Sequence, residues 1–392
     1  MSAHASDEEW RAPALPGRIG LNAIFLEPRM GGVEAYLRAL VPQLERLAPE
    51  VRFSVYCNPR GREYLLSEGW GESVELIAHP LLGRPGLKAA GELTLLGAIA
   101  GRNVDLLHSI GLTGPLATRA ATVVTIHDVT WIVAPDPGEA GTIRLWRAVV
   151  PPVARRADRV IALTEVGAQQ VVRYLRVPRE RIDVVAQAAG GSDLTTPTPE
   201  HELRRRLSLG EGPVVLTVSA KKVNKNLARL TEAMAAVVQR LPDAVLVMPG
   251  NPTAYEGELR ELAQRLGIAR NVVFPDYVSA ADLEGLYALA SCFAFASINE
   301  GFGLPILEAM HRGVPVACSR ASALPEVAGE AALYFDPFSP ADIGQALLSL
   351  LQDGELRATL VARGREREAG FTWEATARGT LESYSRAWRR HR

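Results

Sequence analysis

The sequence predicts two α/β domains, each a doubly wound parallel sheet, facing one another across a cleft. Three observations carry that expectation. The chain has 392 residues, more than one ordinary core accommodates. Short apolar runs bounded by turn or helix signals alternate with helical patterns, as buried parallel strands and their covering helices do. The alternation breaks once, near 189–199, where Gly, Ser, Thr and Pro accumulate as in an interdomain linker, and then restarts. The expected organisation is a disordered tail at 1–16, a first Rossmann-like domain at 17–190, a linker at 191–200, a second Rossmann-like domain at 201–370, and a C-terminal helix at 371–392 returning to the first domain.

The elements follow in order. The run 18–25 reads as the first strand, followed by the Gly31-Gly32 turn and a helical pattern through Tyr36, Leu40, Leu44 and Leu47. Further strands are expected at 51–56, 74–77, 104–108, 122–126, 159–163 and 181–185. After the linker, strands at 214–218, 244–248, 272–274 and 292–296 are each followed by a helix, beginning at Lys225, Ala254, Ala280 and Leu304. A short strand at 316–318 begins after Pro315, a position where proline is tolerated. The segment 373–390 reads as one long amphipathic helix with no strand after it.

Composition narrows the function classes. Forty-three basic residues against 44 acidic ones give a net charge of -1, which is no footprint for nucleic acid. Cys57, Cys292 and Cys318 are odd in number and far apart, without disulfide or metal-ligand spacing, which fits a reducing cytoplasm. Asp7, Glu8 and Glu9 stand where a signal peptide needs basic residues, and no run reaches the ~18 apolar residues of a membrane span. The expected location is cytoplasmic, with peripheral contact at the cytoplasmic membrane face left open by Arg155, Arg156, Arg159 and the basic, Trp388-bearing end at 386–392.

In doubly wound folds ligands sit beyond the carboxyl ends of the strands, and three segments there carry chemistry. The strongest is 297–310, Ser-Ile-Asn-Glu-Gly-Phe-Gly-Leu-Pro-Ile-Leu-Glu-Ala-Met. Gly301 and Gly303 free the backbone, Pro305 suits a first helical turn, and the helix N-terminus behind them suits an anion. Glu308 lies in the apolar part of that helix, where a carboxylate is costly unless something binds it. A vicinal diol beside a bound phosphate is a natural partner. The second segment is 218–227, where Lys225 beside a helix start can neutralise a bound anion. The third is His127-Asp128 after a strand of the first domain. Gly31 and Gly32 complement it, since a turn without side chains lets the backbone approach a ligand. Glu34, just after, is as consistent with an ordinary helix-start acid.

The pair Glu300 and Glu308, with seven residues between, resembles the signature of the retaining glycosyltransferases of family 4, which have the GT-B fold. The similarity extends through 271–277, 283–290, 313–319 and Leu324-Pro325-Glu326-Val327 in the second domain. In the first it takes in the Gly31-Gly32 turn, His127-Asp128 and 162–185. The resemblance implies that Glu308 holds the nucleotide ribose and Glu300 the hydroxyls of the transferred sugar. Backbone N–H groups near Gly301, Phe302, Gly303 and Leu304 then hold sugar and diphosphate, and His127 faces the donor sugar. The family usually places an arginine and a lysine in the 218–227 loop. Lys225 matches the lysine, Ala220 or Asn224 stands where arginine is usual, and Lys221 or Lys222 is expected to supply that charge.

The sequence contains no Asp-x-Asp, no Gly-x-x-x-x-Gly-Lys and no complete Gly-x-Gly-x-x-Gly. Metal-independent transfer without a cofactor is therefore expected, with a nucleotide diphosphate sugar as substrate. A mannose-like hexose is favoured, passing to a glycan, lipid-linked or small-molecule acceptor. The rival readings are a sugar-nucleotide-binding scaffold that has lost transfer and a sugar-nucleotide epimerase.

Overall fold

The computed structural model describes residues 10–27, 32–70, 74–80, 88–189, 195–276 and 278–392; Gly31, Tyr277 and the linker positions 191–194 lie outside them. The first sheet contains β1 (Arg18–Ala23), β2 (Arg52–Cys57), β3 (Glu75–Ala78), β4 (Leu106–Ser109), β5 (Ala121–Ile126), β6 (Arg159–Ala162) and β7 (Ile182–Val184). Its strand order is β3-β2-β1-β4-β5-β6-β7. The second contains β8 (Val214–Leu216), β9 (Val245–Val247), β10 (Val272–Val273), β11 (Cys292–Phe295), β12 (Val316–Ser319) and β13 (Ala332–Phe335), in the order β10-β9-β8-β11-β12-β13. All described pairings are parallel, which requires crossovers rather than hairpins.

The central strands are apolar because helices cover both their faces. Ile19 and Leu21 of β1 have no exposed surface, and such burial stabilises by about 1.5–3 kcal/mol per side chain. Each sheet reverses its winding once, between β1 and β4 and between β8 and β11. Loops leaving the carboxyl ends of those strands splay apart there and open a crevice.

Two elements differ from the sequence reading. β13 was not anticipated: its run Ala332-Leu333-Tyr334-Phe335 is apolar but only four residues long, and it sits at the sheet edge, paired with β12 alone and buried at two of its four residues. The helix expected from Lys225 starts at Leu227 instead, after a 3-10 turn over Val223–Lys225 that ends in left-handed Asn226.

The helix Trp373–His391 packs on the helix Gly32–Leu47 and on β5 and β6 of the first sheet. Its stripe Ala377, Leu381, Tyr384 and Ala387 is buried, and the Tyr384 hydroxyl lies 2.8 Å from Nδ1 of buried His108. Its charged residues serve the fold as well. Arg386 and Arg159 both pair with Asp183, so two of the arginines considered for lipid contact are already engaged. Within the expected N-terminal tail, Trp10 lies under the Arg378 guanidinium at 5.3 Å and Leu15 packs on the core, so the end of that segment belongs to the fold. Among the described residues no helix is long and apolar enough to cross a membrane.

Candidate functional site

A cavity of about 460 Å³ lies where the two winding reversals face each other. Phe25 beyond β1, Gly111 beyond β4 and His127 beyond β5 line one wall. Ala220, Lys222 and Lys225 from the loop after β8, and Glu300 from the loop after β11, line the other.

The second wall is built around an ion pair. Lys225 Nζ lies 2.5 Å from Glu300 Oε1 and 5.7 Å from the centre of the Phe295 ring. Both side chains are largely enclosed, at 19% and 13% exposed. Three contacts fix the pair. Asn226 donates to the carbonyls of Ala296 and Pro337 at 3.1 and 2.7 Å, and its left-handed backbone turns the lysine loop toward β11. The Ile298 N–H donates to the Asn224 carbonyl at 3.0 Å. The Ser322 hydroxyl accepts from the Glu300 N–H at 3.3 Å and lies 2.8 Å from the Glu300 carbonyl.

On the first wall, His127 Nε2 lies 2.9 Å from the Ile110 carbonyl. A carbonyl only accepts, so Nε2 carries the proton and Nδ1 remains as an acceptor. Tyr36 packs edge-on against the ring at 5.2 Å. Burial pushes the imidazole pKa down against the pull of the Ile110 carbonyl and Asp128, which keeps the ring neutral near pH 7. Asp128 accepts from the Thr130 N–H at 2.7 Å, shaping its own turn.

The loop Glu300 to Leu304 meets the first wall directly. A Cβ on Gly301 would lie 1.6 Å from the His127 carbonyl oxygen, so only glycine fits there, and the Gly301 carbonyl accepts from Thr164 Oγ1 at 3.1 Å. Gly303, at φ +100°, opens the helix Leu304–His311, whose N-terminus no side chain caps. Phe302 turns its ring into the protein against Phe371 at 5.8 Å, so only its backbone is available to a ligand. Gly32 begins the helix after β1 with open space where a Cβ would stand, while Gly31 lies outside the described residues.

Glu308 is half-buried, one turn into that helix, and is not among the residues lining the cavity. Tyr287 donates to it at 3.3 Å. Burial raises its pKa, with Arg312 opposing. Lys222 reaches across the cavity to Glu139 of the first wall at 2.6 Å. Lys221 requires a correction: it is 2% exposed and binds Glu256 at 2.9 Å and the Gly250 carbonyl at 2.6 Å, away from the cavity. A charge so placed ties the loop after β8 to the turn after β9 and the helix Ala254–Arg265, and does not face the cavity.

Several residues that hold the two walls together lie in segments the sequence analysis quoted but were not expected as site residues. Buried Asn299 donates to Thr130 Oγ1 at 2.8 Å and accepts from Gln170 at 3.0 Å. Glu326 accepts from the N–H groups of Glu165 and Val166 at 2.6 and 3.0 Å, at the start of the helix Glu165–Gln170. Asn299 stands one residue before Glu300, and Glu326 belongs to the Leu324-Pro325-Glu326-Val327 run. Among the described residues no three His, Cys, Asp or Glu side chains converge as metal ligands would.

The same two-part division appears in known proteins. Residues 30–188 match the model for Glycosyltransferase Family 4, and residues 200–367 match that for Glycosyl transferases group 1. The chain is 30% identical over 268 residues to the O-antigen chain mannosyltransferase B of Escherichia coli, covering 67% of this chain and 69% of that one. It is 34% identical over 246 residues to the D-inositol 3-phosphate glycosyltransferase of Rhodococcus jostii (strain RHA1), covering 60% of this chain and about half, 54%, of that one. The structure of Anabaena Alr3699/HepE in complex with UDP and glucose matches with a TM-score of 0.71 at 20% identity, over 94% of this chain and 98% of that one. At that identity the likeness concerns the fold: two parallel Rossmann-like sheets, the GT-B arrangement. With both halves matched by paired family models and a relative aligned over two thirds of its length, the chain belongs to glycosyltransferase family 4.

Proposed function

We propose that the chain transfers a hexosyl group, with retention of anomeric configuration and without a metal ion, from a nucleotide diphosphate sugar to an acceptor hydroxyl. One observation carries the reading: the Lys225–Glu300 pair faces His127 across a cavity at both winding reversals. The uncapped start of the helix Leu304–His311 supports it by offering N–H groups to an anion.

In this reading Lys225 leaves Glu300 for the diphosphate as the donor enters, and the freed Glu300 carboxylate accepts from sugar hydroxyls. His127 Nδ1 accepts another sugar hydroxyl. Glu308 takes the ribose diol, which exchanges its single Tyr287 contact for two donors. Gly31 and Gly32 let the first wall approach the phosphates, and Lys222 adds charge once it releases Glu139. The bond from the anomeric carbon to the diphosphate oxygen breaks as the acceptor oxygen bonds on the same face, and the acceptor proton passes to the departing diphosphate. Lys225 and the helix start stabilise the charge growing there. Mannose is favoured as the sugar because one relative is named a mannosyltransferase.

The test is turnover of GDP- and UDP-hexoses by the full chain, with and without EDTA, and with the product anomer read by NMR. Lys225→Ala is expected to lower kcat by ~10²–10³, as loss of one preorganised electrostatic contact does. Normal turnover in both Lys225→Ala and Glu300→Ala overturns the site assignment. Donor binding without turnover on a broad acceptor panel favours a sugar-nucleotide scaffold instead, the reading supported by the uncharged Ala220 on the cavity wall.

A further inference from the structure

The first wall continues past His127 into a region of different chemistry. The helices Thr130–Val133 and Ala140–Arg156 after β5 bring Trp131, Ile143 and Trp146 to the cavity together with Phe25, an apolar surface beside its charged groups. Trp131 and Trp146 meet edge to face with centroids 6.3 Å apart, which fixes the orientation of the partly exposed Trp146 ring. Trp131 is 4% exposed, and its indole N–H has no hydrogen-bond partner. A buried donor without a partner is uncommon and costly. Around this surface stand three carboxylates of the first wall, Asp128, Asp136 and Glu139. Asp136 spends one oxygen on the Gly138 N–H at 2.9 Å, and Glu139 holds Lys222. Among the described residues lining the cavity, the only Lys or Arg side chains, Lys222 and Lys225, belong to the second wall, and each is already paired.

We propose that this part of the cavity is an acceptor subsite selective for an uncharged sugar, and that it disfavours phosphorylated acceptors. The inference rests on the transfer reading for its role in the reaction, while the binding it predicts stands apart from turnover. An aromatic face attracts the apolar C–H face of a pyranose, because the electron-rich ring meets the positive edges of the C–H bonds. Carboxylates accept hydrogen bonds from vicinal hydroxyls and offer none in return. The same carboxylates repel a phosphate monoester. Like charges juxtaposed in a binding site cost several kcal/mol, so selection against an anionic acceptor follows from the same residues that recognise a neutral one. On this point the chain is expected to part from its relative named for D-inositol 3-phosphate.

The experiment uses the full chain and pairs methyl α-mannoside with mannose 6-phosphate and with inositol 3-phosphate. Binding is read by tryptophan fluorescence and transfer by nucleotide release. The uncharged glycoside is expected to bind and to be favoured in kcat/KM by roughly 100-fold over either phosphate. Trp146→Ala is expected to raise the glycoside KM about tenfold, the loss of one stacked aromatic contact together with its buried area, and Trp146→Phe to recover most of it. Glu139→Lys is expected to shift the preference toward the phosphates. Equal or stronger use of the phosphates by the unaltered chain, or an unchanged KM in a folded Trp146→Ala variant, overturns the proposal. If no donor is turned over yet the glycoside alone binds and loses that binding in Trp146→Ala, the transfer reading fails while the subsite stands.

Discussion

His108 shows how much a single side chain contributes to joining distant parts of this chain. It ends no motif, yet Nδ1 meets the Tyr384 hydroxyl at 2.8 Å and Nε2 meets Thr125 Oγ1 at 2.7 Å. Burial, with His127 nearby, pushes its pKa down to about 3. An unfolded chain binds this proton near the ordinary histidine value of about 6.5 and the native state does not, so stability rises with pH between those two values. On acidification below pH 6.5 the protein is expected to lose stability at up to roughly 1.4 kcal/mol per pH unit from this residue. Thermal melts of His108→Gln over that range should show a flatter dependence on pH, and an unaltered slope would remove His108 from the account. Lys221 and Lys225 give the complementary lesson. Four positions apart in one loop, they carry the same charge, but Lys225, the candidate beside the expected helix start, pairs with Glu300 on the cavity wall, while Lys221 serves Glu256. Which lysine faces the cavity depends on the φ of Asn226 and on the strand ends nearby.

Among the elements, the loop after β11 is the one that sequence describes best. Its glycines, its proline and its two acids mark a strand-to-helix turn, and the helix does begin at Leu304. The reason for Gly301 is nonetheless outside the loop: its α-carbon abuts the His127 carbonyl of the other sheet's domain. Gly301→Ala should therefore push the two walls apart while leaving the second sheet intact. Displacing a reacting group by about 1 Å costs ~10² in rate, so turnover is expected to fall by about that factor with little change in circular dichroism. Retained turnover would show that the walls do not need this contact. At the other extreme, β13 was missed because a four-residue apolar run has no periodicity that separates a strand from a turn or helix segment. The interior strands β1, β5 and β6 of the first sheet were legible because burial on both faces leaves nearly uninterrupted apolar runs.

For the whole molecule the question is what holds the two walls in register. Among the described residues, polar contacts cross between them besides the Gly301 approach: Asn299 with Thr130 and Gln170, Glu326 with the start of the helix Glu165–Gln170, Thr164 with the Gly301 carbonyl, and Lys222 with Glu139. The half-exposed Lys222–Glu139 pair adds little to stability, whereas removing the buried Asn299 leaves its partners unsatisfied at about 1–3 kcal/mol. Asn299→Ala is expected to open the crevice, which small-angle scattering would register as a larger radius of gyration together with slower turnover. An unchanged scattering profile would place closure elsewhere. The amino-acid order alone determined the two parallel sheets apart from β13, most of the helix starts and the neighbourhood of Glu300, because burial, turn chemistry and capping act over a few residues. It could not determine which side chains meet across the crevice, that Tyr384 is the side chain through which the last helix reaches buried His108, or that Trp146 and Glu139 share a cavity with Lys225. Those pairings join residues far apart in the chain, and only the packing of the two sheets against one another brings them within reach.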